Sequence, residues 1–454
     1  MSTNDTIAAI ATPPGQGGVG IVRISGSNVW KIADEIFQSL ETPSKAKGGT
    51  FLHGKVTAAD GTEIDEALCL IFRAPKSYTG EDTVEIQGHG GPVVLKKILR
   101  RCLDGGARMA EPGEFTKRAF LNGKMDLVQA EAVADLIHAQ SDRAAKAALE
   151  QLEGGLSKQF NALYDGLMET AADIETTLDF VEDELPDDVF PNLGKKLDAS
   201  FQCLENLLAT WDEGRLLREG ARVVIMGRPN AGKSTLFNAL LGSDRAIVTA
   251  LPGTTRDVIE ETLVLDGVPL RILDTAGLRE TECLIEQEGI RRARAHSAAA
   301  DIAVYLIDSS VPFSKEDEEH LTKLNSKKTV VVLNKADTRH PNFKFPISNF
   351  QPLETSLKNG TGAAAICSAI SEKLGGVSHA PAHAVISERH RNLLEQARIE
   401  LIQARARISE EGEPGAASAA EHLRAALEAL GQVTGRVYHN ELLDNVFSRF
   451  CIGK

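Results

Sequence analysis

A phosphate-binding loop is the clearest chemical signal in this sequence. Residues 227–234, GRPNAGKS, have the form G-x-x-x-x-G-K-[ST] and directly follow the apolar run 222–226. Glycines at this spacing let backbone N–H groups turn inward onto phosphates, Lys233 can reach the outer phosphates, and Ser234 offers a hydroxyl to Mg²⁺. The sequence therefore predicts a nucleoside triphosphate site. The loop residues expected to contact the nucleotide are Asn230, Ala231, Gly232, Lys233, Ser234 and Thr235.

A second stretch with similar spacing, residues 49–55, lacks the rest of this motif. Val56 stands where the hydroxyl residue belongs, and no buried strand is predicted before it. We therefore expect a phosphate-binding loop only at residues 227–234.

A later motif predicts that the base is guanine. The tetrapeptide NKAD, residues 334–337, follows the strand-like run 329–333. The carboxylate of Asp337 can accept both N–H donors of a guanine edge, which adenine does not offer. We therefore expect Asn334, Lys335 and Asp337 to bind the base.

A switch motif lies between these two sites. The tetrapeptide DTAG, residues 274–277, ends an apolar stretch and places a carboxylate at a strand end, where it can hold Mg²⁺. The hydroxyls of Thr254 and Thr255 can complete the Mg²⁺ shell when the terminal phosphate is present. The switch residues expected to contact the nucleotide are Asp274, Thr275, Ala276 and Gly277. The phosphate-binding loop, the threonine pair, DTAG and NKAD follow one another along the chain, and this order predicts a GTPase.

The residue that directs the attacking water is not evident from the motifs. Many small GTPases place a glutamine after the switch glycine, but Leu278 follows Gly277 here and cannot orient water. An acidic stretch follows, and one of its carboxylates could act. For each of them, a solvated helix face is the favoured interpretation. The acidic residues are Glu280, Glu282, Glu286 and Glu288.

Composition favours a soluble protein of the cytoplasm. The 454 residues are enough for more than one domain, and the formal net charge of -14 disfavours broad adhesion to nucleic acid, although a local basic patch could bind it. The six cysteines form no C-x-x-C pair, which argues against a zinc site or a disulfide framework. We detect neither a signal peptide nor an apolar run long enough to span a membrane.

Hydrophobic patterns predict a multidomain α+β protein. Short apolar runs at residues 20–24, 67–72 and 83–86 predict strands of a mixed α+β domain. Helical spacing predicts long helices both before and after the phosphate-binding loop, so the P-loop α/β GTPase domain is inserted within a helical domain. The apolar stripes are 149, 152, 156, 160, 163 and 167, then 197, 201, 204, 208 and 211. The predicted domains are 1–121 (α+β), 122–217 (helical, first part), 218–378 (GTPase) and 379–454 (helical, second part).

With these features in hand, the chain resembles the MnmE family of tRNA modification GTPases, also called TrmE, over its whole length. The resemblance rests on segments that are not generic motifs. They are residues 4–7 (NDTI), 11–15 (ATPPG), 18–26 (GVGIVRISG), 88–92 (GHGGP), 112–124 (PGEFTKRAFLNGK) and 450–454 (FCIGK).

The resemblance implies a homodimer whose N-terminal domain binds a tetrahydrofolate carrier, 5,10-methylenetetrahydrofolate or 5-formyltetrahydrofolate. Matched by motif, the folate contacts are Arg23, Glu85 and Lys124, with the terminal Lys454 nearby. The chemistry agrees in part, because Arg and Lys can pair with the carboxylates of a folate and Glu can accept from the donor edge of a pterin.

The resemblance also implies a K⁺ ion in place of an arginine finger. The K⁺ ligands would come from Asn230, Thr249, Leu251 and Thr254, and Mg²⁺ would be held by Ser234 and Thr255. Glu286 matches the family's water-activating glutamate, and Ser356 belongs to the base-binding loop. Three residues depart from those usual in the family: Ala250, Pro252 and Leu357.

Cys451 is the candidate catalyst of the modification reaction. The resemblance makes the terminal Cys-Ile-Gly-Lys important, and a thiol near a folate could act as an acid, a base or a nucleophile. The alternative is a buried structural thiol. The cysteine stands fourth from the end as in a prenylation box, but Gly453 is not aliphatic and Lys454 is not a usual terminal signal.

The function that the resemblance implies is modification of tRNA. The chain would act with an FAD-containing MnmG-type partner, in a heterotetramer or larger complex, and without a membrane. The two proteins would add a carboxymethylaminomethyl or aminomethyl group to C5 of the wobble uridine of certain tRNAs. GTP hydrolysis through G-domain dimerisation would gate this step. The alternative is a regulatory GTPase of ribosome or RNP assembly, which would share the GTPase motifs but not the folate-type segments or the Cys-Ile-Gly-Lys terminus.

Overall fold

The structure is a computed structural model that describes residues 5–179, 186, 188–242, 247–249, 262–273, 300–375 and 385–454. The described strands are β1 (Thr6–Ile10), β2 (Gly17–Gly26), β3 (Phe37–Ser39), β4 (Thr50–Thr57), β5 (Glu63–Phe72), β6 (Thr83–Gly90), β7 (Arg108–Met109), β8 (Ala221–Gly227), β9 (Ile247–Thr249), β10 (Thr262–Leu265), β11 (Val268–Leu273), β12 (Ile302–Asp308), β13 (Thr329–Asn334) and β14 (Leu353–Glu354).

Helices fill most of the remaining described chain. They are α1 (Val29–Ile36), α2 (Pro92–Asp104), α3 (Glu114–Leu121), α4 (Leu127–His138), α5 (Asp142–Leu152), α6 (Gly155–Asp179), α7 (Val189–Ala209), α8 (Trp211–Glu219), α9 (Lys233–Leu241), α10 (Lys315–Leu321), α11 (Ala363–Lys373), α12 (Glu388–Ala406), α13 (Ala416–Thr434) and α14 (Asn440–Phe447). None of the described helices has the length and apolar character needed to span a membrane.

The chain divides into two compact units. The first unit comprises Met1–Ala134, Leu152–Phe201 and Gln396–Lys454, and the second comprises Asp135–Gln151 and Gln202–Glu395. The GTPase motifs of the described residues all fall in the second unit, and the predicted folate contacts fall in the first.

The first unit contains a mixed seven-stranded sheet with the order β3-β4-β5-β6-β2-β1-β7. Its neighbouring strands are antiparallel except for the β1–β7 pair. Apolar side chains alternate along the strands, as expected where one face is buried. Val22 and Ile24 of β2 lie in the same core cluster as Ile98 of α2, whereas Arg23, between them, points to the opposite face. The register thus places polar residues of β2 and β6 together on that opposite face.

The predicted strands at 20–24, 67–72 and 83–86 are confirmed, because β2, β5 and β6 contain them. Residues 49–55, rejected as a phosphate-binding loop, largely form β4. The residues of the first apolar stripe are divided between two helices, because α5 ends at Leu152 and α6 begins at Gly155. Gly154 has φ +89°, a left-handed turn that a continuing helix cannot contain, and Leu149 is exposed.

The second unit is built on a sheet with the order β14-β13-β12-β8-β11-β10-β9. Strands β11, β8, β12, β13 and β14 run parallel to one another, and β10 pairs antiparallel with both β11 and the edge strand β9. The parallel strands are nearly continuous runs of buried apolar residues, because helices cover both faces of such a sheet. Loops at the carboxyl ends of β8 and β13 therefore lie at one edge, where ligands bind in open α/β sheets.

A charged cluster ties the start of β1 to α3 in the first unit. We define it as Asp5, Glu81, Arg108, Glu114 and Arg118. Arg118 Nη2 lies 2.6 Å from Asp5 Oδ1 and 3.0 Å from Glu114 Oε1. Arg108 binds Glu114 through two nitrogens, at 2.5 and 2.8 Å. The Glu114 side chain is 8% exposed, so this carboxylate depends on its partners for solvation.

The cluster determines the ionisation of Glu114. Burial alone would raise its pKa, but hydrogen bonds from Arg108, the Glu111 amide and Arg118 hold the pKa below the ordinary value. A carboxyl group with a lowered folded-state pKa stabilises the fold above its unfolded pKa, and this contribution is lost as the pH falls through the folded pKa.

We therefore predict that Glu114→Gln lowers the free energy of unfolding of the first unit by about 3 kcal/mol at neutral pH. The difference between wild type and variant should be complete above the unfolded pKa of about 4.3 and should shrink as the pH falls from there through the lower folded-state pKa. Urea unfolding can be followed by Trp30 fluorescence in a Trp211→Phe background. The control is Glu63→Gln, which removes an exposed ion pair with Lys55 and should cost less than about 1 kcal/mol. Equal losses in both variants would contradict the analysis.

Candidate functional site

The phosphate-binding loop joins β8 to α9 in the second unit. Gly232, at the helix N-cap, has φ +104°, and a Cβ at this position would lie 2.3 Å from Asn334 Nδ2. Only glycine allows both the left-handed backbone and this close approach. The loop is therefore shaped to bring its backbone amides and the N-terminus of α9 to one place, an arrangement that favours anions.

Lys233 lies against this loop. Its Nζ donates to the carbonyl oxygens of Gly227, at 2.8 Å, and Arg228, at 3.0 Å. Burial lowers the pKa of Lys233. A partly desolvated ammonium held by backbone carbonyls is suited to meet phosphate oxygens, since Coulomb attraction is stronger where water is excluded. Ser234 and Thr235 follow in the exposed first turn of α9, where their hydroxyls can reach a bound metal or phosphate.

Asn334, at the end of β13, connects the phosphate side of the site to the base side. Its Nδ2 donates to the Ala231 carbonyl at 2.9 Å, and its Oδ1 accepts from the Leu357 amide at 3.1 Å. The asparagine is buried, so both hydrogen bonds are sheltered from water. The Leu357 side chain is buried in the main core of this unit, and the departure from the usual family residue is therefore accommodated by packing.

Asp337 and Lys335 form the base side of the site. Asp337 Oδ1 accepts from Ser356 Oγ at 2.6 Å, and this hydrogen bond lowers the pKa of Asp337. An exposed, ionised carboxylate is the group required to accept two N–H donors of guanine. Lys335 has φ +61°, and its Nζ lies 2.6 Å from Asp308 Oδ2.

Sequence reasoning missed Asp308, which ends β12. Burial raises the pKa of this carboxyl. Hydrogen bonds from Lys335 and Ser310 lower the pKa by more than burial raises it, so the pKa lies below its ordinary value. Asp308 pairs with Asn334 in the parallel ladder, so both lie at the carboxyl edge of the sheet. That position, at the end of a strand next to β8, is the signal that could have identified Asp308.

Most of the predicted switch and metal residues lie outside the residues that the structure describes. These are Leu251, Thr254, Thr255, Asp274, Thr275, Ala276, Gly277 and Glu286. Thr249 ends β9 and pairs with Thr262 of β10. The roles of all nine residues stay predictions.

A second candidate site lies on the sheet of the first unit. Arg23 of β2 and Glu85 of β6 are direct cross-strand partners, and Arg23 Nε donates to Glu85 Oε1 at 2.8 Å. Their side chains are 13% and 14% exposed. The Arg23 guanidinium also lies 5.3 Å from the ring centroid of Tyr78 and 5.5 Å from that of Phe115. A charged pair between aromatic rings can bind a planar polar ligand by hydrogen bonding and stacking.

The C-terminal tetrapeptide completes this second site. Arg23 Nη1 donates to the Gly453 carbonyl at 3.4 Å, although the two residues are 430 positions apart. An isolated β-bridge joins Ile452 to Pro112. Burial lowers the pKa of Lys454, and so does the charge of Arg23, whereas Glu85 and Cys451 oppose the shift. Lys454 is thus close enough to Arg23, Glu85 and Cys451 to interact with them electrostatically.

Helix α14 holds the C-terminal segment in place. Phe447 and Phe450 pack in a buried cluster with Phe120 and Leu127. Lys117 Nζ also lies 2.7 Å from an Asp444 carboxylate oxygen. The sequence placed Lys454 near the folate contacts by resemblance alone. The aromatic residues Tyr78 and Phe115 were missed, since Tyr78 lies in none of the matched segments and Phe115, within residues 112–124, was given no role.

Lys124 and Cys451 differ in their surroundings. Lys124 is exposed, and its Nζ donates to the Pro75 carbonyl at 3.0 Å, on the segment that leads to Tyr78. Cys451 is exposed, so the alternative of a buried structural thiol is wrong. Its exposure leaves the sulfur free to meet a bound ligand.

Comparison with known proteins covers both parts of the chain. Residues 6–124 match the family described as GTP-binding protein TrmE N-terminus, and residues 127–451 match the MnmE helical domain. A tRNA modification GTPase MnmE of Carboxydothermus hydrogenoformans is 43% identical over 463 residues, covering 99% of each chain. A protein of the same name from Neisseria meningitidis serogroup C is 43% identical over 457 residues, covering 100% of each.

Solved structures were compared as well. The G domain of FeoB from Methanococcus jannaschii is 20% identical, with a TM-score of 0.25, and the match covers 34% of this chain and 98% of that one. Era from Aquifex aeolicus is 21% identical, with a TM-score of 0.25 and coverage of 40% and 67%.

The full-length matches confirm the predicted multidomain layout and the prediction of a GTP-hydrolysing enzyme. The chain belongs to the MnmE family of tRNA modification GTPases.

Proposed function

We propose that this protein is a K⁺-dependent GTPase of the cytoplasm that acts on the wobble uridine of certain tRNAs. Together with an FAD-containing MnmG-type partner, a homodimer of this chain adds a carboxymethylaminomethyl or aminomethyl group at C5. The added carbon comes from 5,10-methylenetetrahydrofolate or 5-formyltetrahydrofolate. The observation that carries this proposal is the Arg23–Glu85 pair between two aromatic rings, with the Cys451–Lys454 tetrapeptide beside it.

The second candidate site fits a folate in its chemistry. A pterin offers a row of N–H donors and a flat aromatic face, and the glutamyl end offers carboxylates. Glu85 would accept from the pterin edge, Tyr78, with the buried Phe115 behind it, would pack against a flat ring, and Arg23 and Lys454 would attract carboxylates. Lys124 would contribute charge from the Pro75 segment. When bound, the folate supplies the one-carbon unit, and the exposed thiol of Cys451 would act on it as an acid, a base or a nucleophile.

The second unit fits GTP and Mg²⁺. Lys233 and the amides of the phosphate-binding loop would bind the phosphates, Ser234 would offer a hydroxyl to Mg²⁺, and Asp337 would bind guanine. Thr255 and Asp274 would complete the metal and phosphate contacts, and Glu286 would activate water. GTP hydrolysis through paired G domains would gate the modification step rather than drive its chemistry directly.

A K⁺ ion is consistent with the conformation of Asn230. This residue has φ +63°, a region where asparagine is favoured over most other residues, and it is exposed on the loop, where its amide oxygen would be available to a cation. Amide and carbonyl oxygens suit a hard cation, which would neutralise charge that develops between the phosphates. The remaining ligands would come from Thr249, Leu251 and Thr254.

The first prediction concerns folate. Glu85→Gln replaces an acceptor-only carboxylate with an amide and should raise the Kd for 5-formyltetrahydrofolate by about tenfold or more, because a charge-assisted hydrogen bond is lost. Binding is measured by calorimetry on the full chain, and GTP hydrolysis should not change. The matched control is Glu66→Gln, an exposed glutamate of β5 that pairs with His53 of β4. Equal affinity in wild type and Glu85→Gln would remove the pterin contact from the proposal.

The second prediction concerns K⁺ and gating. Asn230→Gly keeps the left-handed backbone but removes the amide, and should lower the K⁺-stimulated rate of GTP hydrolysis by about 10²-fold, towards the rate in Na⁺. Asn230→Asp, which retains an oxygen ligand, should keep most of the stimulation. Hydrolysis is assayed in KCl and NaCl at equal concentrations. If GTP hydrolysis gates the modification step, wobble-uridine modification should fall together with hydrolysis in cells that express Asn230→Gly. Normal modification in cells whose variant hydrolyses GTP poorly would refute this coupling.

The third prediction concerns the thiol. Mass spectrometry of nucleosides from cells that lack this chain should show loss of the 5-substituent at the wobble uridine. Wild type should restore it, and Cys451→Ser should not, although GTP hydrolysis stays normal because the serine lies in the other unit from the nucleotide site. Cys203→Ser, a half-buried thiol of α7, is the control and should restore modification. An unchanged nucleoside profile in cells without the chain would instead favour a GTPase of ribosome or RNP assembly.

A further inference from the structure

Electric charge is unevenly distributed along this chain. The first 126 residues carry equal numbers of acidic and basic side chains, so the formal net charge of -14 resides entirely in the remainder. A polyanion that approaches the protein is therefore repelled least by the N-terminal sheet domain. Any favourable contact must come from a local concentration of cations within that domain.

Helix α2 supplies such a concentration. Its inner face packs in the core through Leu95, Ile98, Leu99 and Cys102. Residues 93, 96, 97 and 100 follow the i, i+3, i+4, i+7 spacing and share the outer face. Lys96, Lys97 and Arg100 are all exposed there. We name these three residues the α2 basic stripe.

Asp104 offsets one of the three charges, which leaves those of Lys96 and Lys97. Arg100 forms an i,i+4 ion pair with Asp104 at 3.0 Å, at a surface position where such pairs are weak. Glu35 is bound instead by Arg101, which is buried on another face of the helix. Lys31 is exposed on α1, the neighbouring helix, and adds a further cation to the same layer.

The size of the stripe suits a row of phosphates. From residue 96 to residue 100 a helix advances about 6 Å. One strand of a nucleic acid duplex carries a phosphate about every 3.4 Å along the axis in B form, so the stripe faces about two phosphates. Two lysines and an arginine on flexible side chains can adjust to these positions without any demand on base sequence.

We propose that the α2 basic stripe is a docking surface for the sugar-phosphate backbone of RNA. The inference rests on the proposed function, which identifies that RNA as the tRNA substrate. An acidic protein is the alternative occupant. Helix α2 contains no aromatic residue, and its exposed outer face consists of the stripe and Val93, whereas protein interfaces are depleted in lysine and enriched in aromatic residues. The composition therefore favours a phosphate backbone.

The test is binding of fluorescein-labelled tRNA to the full chain, measured by anisotropy across a series of KCl concentrations. Lys96→Glu/Lys97→Glu should raise the Kd by about tenfold or more and reduce the salt dependence, with a log–log slope smaller by roughly 1.5, because two phosphate contacts are lost. Lys96→Arg/Lys97→Arg should bind as wild type does. The matched control is Lys327→Glu/Lys328→Glu, an exposed lysine pair of the second unit, which makes the same change in net charge and should leave the Kd within about twofold.

Two readouts guard against loss of folding. GTP hydrolysis and folate affinity should be unchanged in Lys96→Glu/Lys97→Glu. If that variant does not fold, Lys96→Gln/Lys97→Gln replaces it, with a smaller expected rise in Kd and the same direction of change in slope.

The outcomes distinguish failure of the docking proposal from failure of the proposed function. The docking proposal is overturned if Lys96→Glu/Lys97→Glu binds tRNA with wild-type affinity, or if the wild-type chain does not bind tRNA. The proposal is also overturned, in favour of an acidic protein, if such a protein binds the wild-type chain but not Lys96→Glu/Lys97→Glu while the tRNA affinity of this variant is unchanged. The proposed function fails only if the wild-type chain does not restore wobble-uridine modification in cells that lack it, which is a different measurement.

Discussion

The ion pair between Arg23 and Glu85 is the constraint on which the first unit's site depends. Both side chains are largely withdrawn from water, and a buried pair of this kind is often no more stabilising than well-packed apolar residues would be. Loss of one partner, however, leaves an uncompensated charge and costs several kcal/mol. Because this pair adds little net stability but is costly to break, we interpret it as part of a binding site rather than as a structural interaction. The surrounding sheet register, aromatic rings and C-terminal segment all serve to fix its geometry.

The site is assembled from distant parts of the chain. Arg23 and Glu85 are brought together by antiparallel pairing of β2 with β6, which is set by the alternation of buried and polar residues. The tetrapeptide comes from the far end of the sequence and is held by the packing of Phe447 and Phe450. Because the carbonyl of Gly453 completes the shell of Arg23, formation of this site requires the first unit to fold with its C-terminal helix in place.

Local motifs could be predicted from sequence, whereas partners that depend on tertiary contacts could not. The loop at residues 227–234 and the NKAD tetrapeptide each follow a strand whose apolar run is visible in the sequence, so their placement at one sheet edge was predictable. Asp308 was missed because strand β12, which it ends, was not among the predicted strands, and because its ion pair with Lys335 is a tertiary contact. The helical stripe at 149–167 is divided between two helices because a residue in the left-handed region, Gly154, interrupts a pattern whose spacing continues across it.

Arg218 of α8 shows how the second unit can act as one body in a gating step. Its guanidinium Nε lies 2.6 Å from Asp135 Oδ2, and its other nitrogens donate to the carbonyls of Ile386 and Val385, each at 2.6 Å. Asp135 begins one segment of this unit, and the 385–386 stretch follows the GTPase motifs along the chain. Arg218 thus connects helix α8, which precedes the GTPase fold, to residues 385–386, which follow it. A change at the nucleotide site that moved either segment would have to move both, because separating them would strand a partly buried arginine without its acceptors.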